Sequence, residues 1–215
     1  MSYKFRDHIK NQPYVTTFVS HSKNFIYMRA GRTASTTINF KLQIFDPKTY
    51  HQVSLPYFSK TGTNKWLETT SDQEIFNNFF IFTIVRNPFD RLISAWKAFV
   101  GKGKVNDNFE QFIKNKGVIK GKGHWLYEDN SVSNDHWLPL HYYVEFNKNK
   151  SFINYVGKYE NLNKDWDIIS KKINISSPIV STPSNKSYRK YYTDELIDIV
   201  SKYYKRDLEL FDYEF

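Results

Sequence analysis

Asn24-Phe25-Ile26-Tyr27-Met28-Arg29-Ala30-Gly31-Arg32-Thr33-Ala34-Ser35-Thr36-Thr37-Ile38-Asn39-Phe40-Lys41-Leu42 holds a strand, a turn and a helix in succession. Asn24 to Arg29 is a short, apolar, buried strand. Ala30 to Ser35 are small or polar and turn tightly. Ile38, Leu42 and Phe45 then recur at helical spacing, so a helix starts near Ser35 or Thr36 and Pro47 ends it. Such a turn points several backbone N–H groups at one spot, and the helix N-terminus adds partial positive charge there. Arg32 supplies a fixed cation, and Thr33, Ser35, Thr36 and Thr37 supply hydroxyls. The stretch is either a phosphate or sulfate cradle or an ordinary turn with a hydroxyl cap. It is not a Walker A loop, because G-x-x-x-x-G-K-[ST] does not occur in the chain.

A second stretch repeats the plan. Phe79 to Val85 is nearly unbroken in apolar residues, as in a strand buried on both faces of a parallel sheet. Asn87-Pro88 opens a helix with Leu92, Trp96 and Phe99 as its inner stripe. Arg86 therefore leaves a strand at its carboxyl end, where open α/β sheets bind ligands. Ser94 lies eight residues on, about two helical turns. Arg86 can chelate an anion with help from the Ser94 hydroxyl, or it can pair with Asp90 on the surface.

Outward from these segments, residues 46–73 read as irregular and polar. Ser151 to Tyr159 holds another strand, and Leu162, Trp166, Ile169 and Ile173 mark a helix. Asn174 to Tyr192 reads as a loop, and Thr193 caps a last helix whose stripe is Leu196, Val200 and Tyr203. Alternating strands and helices predict an α/β fold, a P-loop-like parallel sheet flanked by helices, as a single domain over residues 1–215.

Composition bounds the chemistry. The chain has 215 residues and no cysteine, which excludes disulfide frameworks, Cys-ligated zinc and thiol catalysis. The formal charge is +9 and 18% of residues are aromatic, so an anionic partner and a ring-rich core are expected, unless the charge reflects only a Lys-rich composition. Mean hydropathy is −0.62 and no apolar run approaches the roughly 20 residues of a membrane helix. Met1 to Gln12 carries Lys4, Arg6, Asp7 and Lys10 with no apolar run behind them, so no secretory signal is read and a soluble, cytoplasmic protein is expected.

The two segments, in this order, resemble the nucleotide-binding signatures of sulfotransferases that use 3′-phosphoadenosine 5′-phosphosulfate (PAPS), in the carbohydrate and heparan-type branch. Gly31 to Thr37 is similar to the loop that holds the 5′-phosphosulfate. Val85-Arg86-Asn87-Pro88-Phe89-Asp90-Arg91-Leu92-Ile93-Ser94-Ala95-Trp96 is similar to the 3′-phosphate site. Val156-Gly157-Lys158-Tyr159-Glu160-Asn161-Leu162 and Arg206 to Phe215 fit that branch too. The departures are Gly31, Arg32 and Ser35, where many relatives carry Pro, Lys and Gly.

The resemblance implies transfer of a sulfuryl group from PAPS to a hydroxyl-bearing acceptor, a glycan or polysaccharide rather than nucleic acid, with no metal. Arg32, Thr33, Ala34, Ser35, Thr36 and Thr37 are implied at the 5′-phosphosulfate, with Arg32 also at the leaving group, and Arg86 and Ser94 at the 3′-phosphate. His51 is implied as the base, with Glu68 as runner-up. Tyr159 is implied against the adenine, and Lys186, Ser187 and Arg189 in a basic loop over the nucleotide. His136 and His141, flanking Trp137 to Leu140, read as acceptor binding or as loop packing. The Lys/Gly-rich segment 101–123 reads as an anion grip or a solvated loop. Two other classes stay open: a nucleotide-dependent kinase, which would need a Walker lysine, and a non-catalytic polyanion- or nucleic-acid-binding module, with steeply salt-dependent binding.

Overall fold

The structure is a computed structural model that describes residues 14–47, 50–56, 78–100, 107–115, 136–144, 153–176, 178–179 and 187–215. Five strands form one sheet: β1 (Tyr14–Ser20), β2 (Phe25–Arg29), β3 (Tyr50–Pro56), β4 (Phe80–Val85) and β5 (Tyr155–Lys158), in the order β3-β1-β2-β4-β5. β2, β4 and β5 are parallel, whereas β1 is antiparallel to both β2 and β3. The parallel half is the one read from sequence. The sheet is mixed because an antiparallel pair extends it, and β3 lies inside the segment expected to be irregular. Its Val53 and Leu55 alternate with Gln52 and Ser54, a weak period-2 pattern suited to a half-polar edge strand.

Alternation along the inner strands sorts side chains between two cores. Phe25, Tyr27, Phe82 and Ile84 face one side, where they meet Ile38 and Leu42 of α1 (Ser35–Phe45) and Leu162, Trp166 and Ile169 of the helix Leu162–Lys172. Ile26, Met28, Ile81 and Val85 face the other side with Leu138, Leu140, Tyr143 and Phe211. A ring-rich third cluster joins α2 (Pro88–Val100) to Phe109, Phe112, Trp137, Tyr188 and Tyr204. At the start of α2, Asn87 Oδ1 accepts from the Phe89 N–H at 3.0 Å, so Asn87 caps the helix that Pro88 opens. Thr193 likewise accepts from the Leu196 N–H.

Gly157 sits where β5 presses on the helix Leu162–Lys172. A Cβ there would lie 2.6 Å from Ile84 Cδ1 and 3.1 Å from Asp165 Cβ. The parallel strands β2, β4 and β5 end at Arg29, Val85 and Lys158, so the residues following them emerge at one edge of the sheet. No helix among the described residues is long and apolar enough to cross a membrane.

Candidate active site

The turn after β2 is built under strain. Arg32 and Ala34 have φ of 66° and 60°, left-handed conformations that cost a non-glycine residue about 1–2 kcal/mol. Alternating backbone hands of this kind turn N–H groups toward a common concavity that suits an anion. Ala34 is the N-cap of α1 and offers no side-chain hydrogen bond to the first-turn N–H groups.

Two arginines hold this turn by its carbonyls. Arg91, only 1% exposed, donates from Nε to Gly31 O at 2.9 Å and from Nη1 to Leu138 O at 2.6 Å. Arg86 donates from Nη1 to Arg32 O at 3.0 Å. It also pairs with Asp90 at 2.8 Å, and both side chains are nearly buried, at 12% and 11% exposure. The surface ion pair considered from sequence is thus an inward one that leaves Arg86 in the cleft. Tyr159 lies beneath it, with the Arg86 Cζ 4.1 Å from the ring centroid.

Arg32 reaches across to α2. Its Nε and Nη2 donate to Ser94 Oγ at 3.2 and 2.9 Å. The residues expected at two separate phosphates therefore meet in one cleft of about 370 Å³. Arg32, Ala34, Ser35, Thr36 and Thr37 line it together with Arg86, Ser94 and Tyr159. Burial pushes the Arg32 guanidinium below arginine's ordinary value, and the charges of Arg86 and Arg91 push it the same way. An anion placed between these guanidinium groups would relieve that repulsion.

The model of the sulfotransferase family matches residues 15–214. The chain belongs to the sulfotransferase family. This family's general activity is sulfuryl transfer. A protein of Archaeoglobus fulgidus, described only as uncharacterized, is 25% identical over 122 residues, which are 55% of this chain and 89% of its own. The crystal structure of a sulfotransferase from Alicyclobacillus acidocaldarius is similar over 66% of this chain and 60% of that one, with 18% identity and a TM-score of 0.37. The chain thus spans less than two thirds of that solved structure's length.

Within this sulfotransferase-family chain, several expected site residues fall elsewhere. Thr33 is fully buried and its hydroxyl donates to Ala30 O at 2.9 Å, so it locks the turn and leaves three of the four hydroxyls of Thr33–Thr37 on the cleft, beside that of Ser94. Ser187 and Arg189 lie on a 3₁₀ turn, Ser187–Tyr191. Arg189 donates to Phe215 O and lines a second cavity, of about 440 Å³, with Lys158, Glu160 and Tyr213. It does not line the Arg32 cleft. Lys186 and Glu68 lie outside the described residues.

His51 sits in β3 opposite Val19, which is itself opposite Ile26. Ile26 is three residues before the end of β2, about 10 Å back along the strand, and β3 is two strands away, about another 10 Å. The register thus sets the His51 backbone well away from the carboxyl ends where the cleft opens, against the expectation that it is the base.

His141 is a structural residue in this arrangement. Its Nδ1 lies 2.6 Å from Asp207 Oδ1, and the same buried carboxylate accepts the N–H groups of Leu140 and His141. Sequence reasoning missed Arg29, Leu162 and Ile179 in the cleft, and gave His136 no place there; all four line it. Arg29 carried one usable signal, its position as the last residue of a strand that enters the turn.

Proposed function

We propose that the protein transfers the sulfuryl group of PAPS to an acceptor hydroxyl, on a glycan or polysaccharide, as one domain that needs no metal and is cytoplasmic. The observation that carries the reading is the Arg32–Ser94 contact, which joins the turn after β2 to α2 beside Arg86. Arg86 and Ser94 hold the 3′-phosphate of the donor. Arg32, the turn N–H groups and the hydroxyls of Ser35, Thr36 and Thr37 hold the 5′-phosphosulfate. Tyr159 meets the adenine side of the nucleotide. A Lys186–Arg189 loop over the nucleotide would need Arg189 to leave Phe215.

The chemistry follows from charge. As the acceptor oxygen forms its bond to sulfur, the bond from sulfur to the bridging phosphate oxygen breaks, and negative charge grows on the phosphate. The turn N–H groups, and Arg32 once it is released from Ser94, meet that charge, so they stabilise the transition state more than the bound donor. A donor phosphate also competes for the Ser94 hydroxyl that Arg32 now uses, which frees the guanidinium to turn toward the leaving group.

The test is a thermal shift with 3′-phosphoadenosine 5′-phosphate (PAP), AMP and ATP. At about 100 times its dissociation constant a ligand adds about 2.7 kcal/mol, or about 5–10 °C in a chain of this size. PAP should give that shift and AMP should not. A larger shift with ATP and magnesium would return the kinase reading.

A further inference from the structure

We propose that His136 is the proton acceptor for the hydroxyl that attacks sulfur. The inference deepens the sulfotransferase reading and rests on it. His136 lines the same cleft as Arg32 and Ser94. Of the described residues lining that cleft, Arg29, Arg32 and Arg86 are fixed cations, and Ser94, Ser35, Thr36 and Thr37 are neutral hydroxyls. The Tyr159 ring is covered on one face by Arg86. An imidazole is the one group among them suited both to take up and to give back a proton near neutral pH.

The His136 ring and the segment that carries it are packed in place. Its ring meets Phe99 of α2 edge-on, with centroids 5.2 Å apart. Two residues on, Leu138 O accepts from Arg91, the residue that grips Gly31 O. Tyr204 donates to Trp137 O, and Asp207 accepts the Leu140 N–H at 2.6 Å. One buried arginine therefore fixes the His136 segment and the turn after β2 to each other, and with them the distance from the imidazole to the sulfuryl position. Nδ1 is buried, and the proton is assigned to Nε2.

The step balances simply. The acceptor oxygen bonds to sulfur, the bond from sulfur to the bridging phosphate oxygen breaks, its electron pair leaves on PAP, and the hydroxyl proton moves to His136 Nε2. Release of that proton to water after PAP departs resets the site.

The experiment compares the full-length wild type with His136→Ala, His136→Asn and His51→Ala. PAP affinity is measured by calorimetry. PAP release from PAPS is measured with chitopentaose, desulfated heparin, desulfated chondroitin and 4-nitrophenol as acceptor probes. Both His136 variants should bind PAP within about threefold of wild type and lose about 10²–10⁴ in turnover, and added imidazole should restore part of the His136→Ala loss. His136→Asn keeps a planar polar group and guards against a folding defect in the alanine variant. Normal turnover in the His136 variants, loss of PAP binding in both, or a collapse confined to His51→Ala would each overturn the assignment. A wild type that leaves PAP unbound sinks the sulfotransferase reading itself. One that binds PAP but consumes no PAPS with any probe overturns both.

Discussion

Arg91→Met removes a side chain that bonds both the turn after β2 and the segment carrying His136. Arg91 is 1% exposed and donates to two carbonyls, at 2.9 and 2.6 Å. Hydrogen bonds from a charged donor are worth about 1.5–3 kcal/mol each, so the gross loss is about 3–6 kcal/mol. Methionine fills much of the volume, and removing one of three clustered guanidinium groups relieves repulsion on Arg32. That relief cannot satisfy two carbonyls stripped of their donor, so a net cost of about 3 kcal/mol remains. The thermal midpoint should fall by about 6–12 °C. Arg91→Lys should fall between, because one ammonium cannot span both carbonyls as Nε and Nη1 do. Differential scanning calorimetry gives the midpoint. A drop under about 2 °C for Arg91→Met would refute the claim that Arg91 fastens the two segments together.

Arg86→Ala should weaken PAP binding at least about tenfold and leave AMP binding nearly unchanged; calorimetry with both nucleotides checks it, and equal losses would remove Arg86 from the 3′-phosphate. Arg32→Ala should lower turnover more than PAP affinity, with Arg32→Lys keeping substantial activity, as read from steady-state rates beside binding constants. Ala34→Gly should stabilise the chain by up to about 1 kcal/mol, because φ is 60° there; a lower thermal midpoint would contradict the strain. Gly157→Ala should cost about 1–3 kcal/mol in thermal unfolding, since the new methyl meets Ile84 and Asp165.

The parallel heart of the fold is legible because β2 and β4 are buried on both faces. Phe80–Val85 needs no partner to declare itself, and Asn87-Pro88 marks the next helix by local chemistry alone. β1 and β3 escape notice because an antiparallel edge alternates weakly, and its pairing is decided by residues far away in the chain. The same cause hides the position of His51. Its place in sequence, between the turn after β2 and β4, says nothing of the register that sets it opposite Val19.

At the site, Arg32, Arg86 and Ser94 were legible as strand-end and helix-face residues. Which of them would touch was not. The Arg32–Ser94 contact spans 62 residues and follows from how α2 packs against the turn after β2. Thr33 shows the converse limit, since a hydroxyl in a polar turn can face the ligand or the backbone, and only the backbone hand at Arg32 and Ala34 decides which.

The most direct measurement is a crystal structure of the full chain with PAP bound. The expected result has the 3′-phosphate bonded to Arg86 and Ser94, the 5′-phosphate on the N–H groups of residues 32–37 with Arg32 beside it, and His136 facing the vacant sulfuryl position. PAP seated instead in the cavity beside Arg189 and Tyr213, with the Arg32–Ser94 contact untouched, would contradict it.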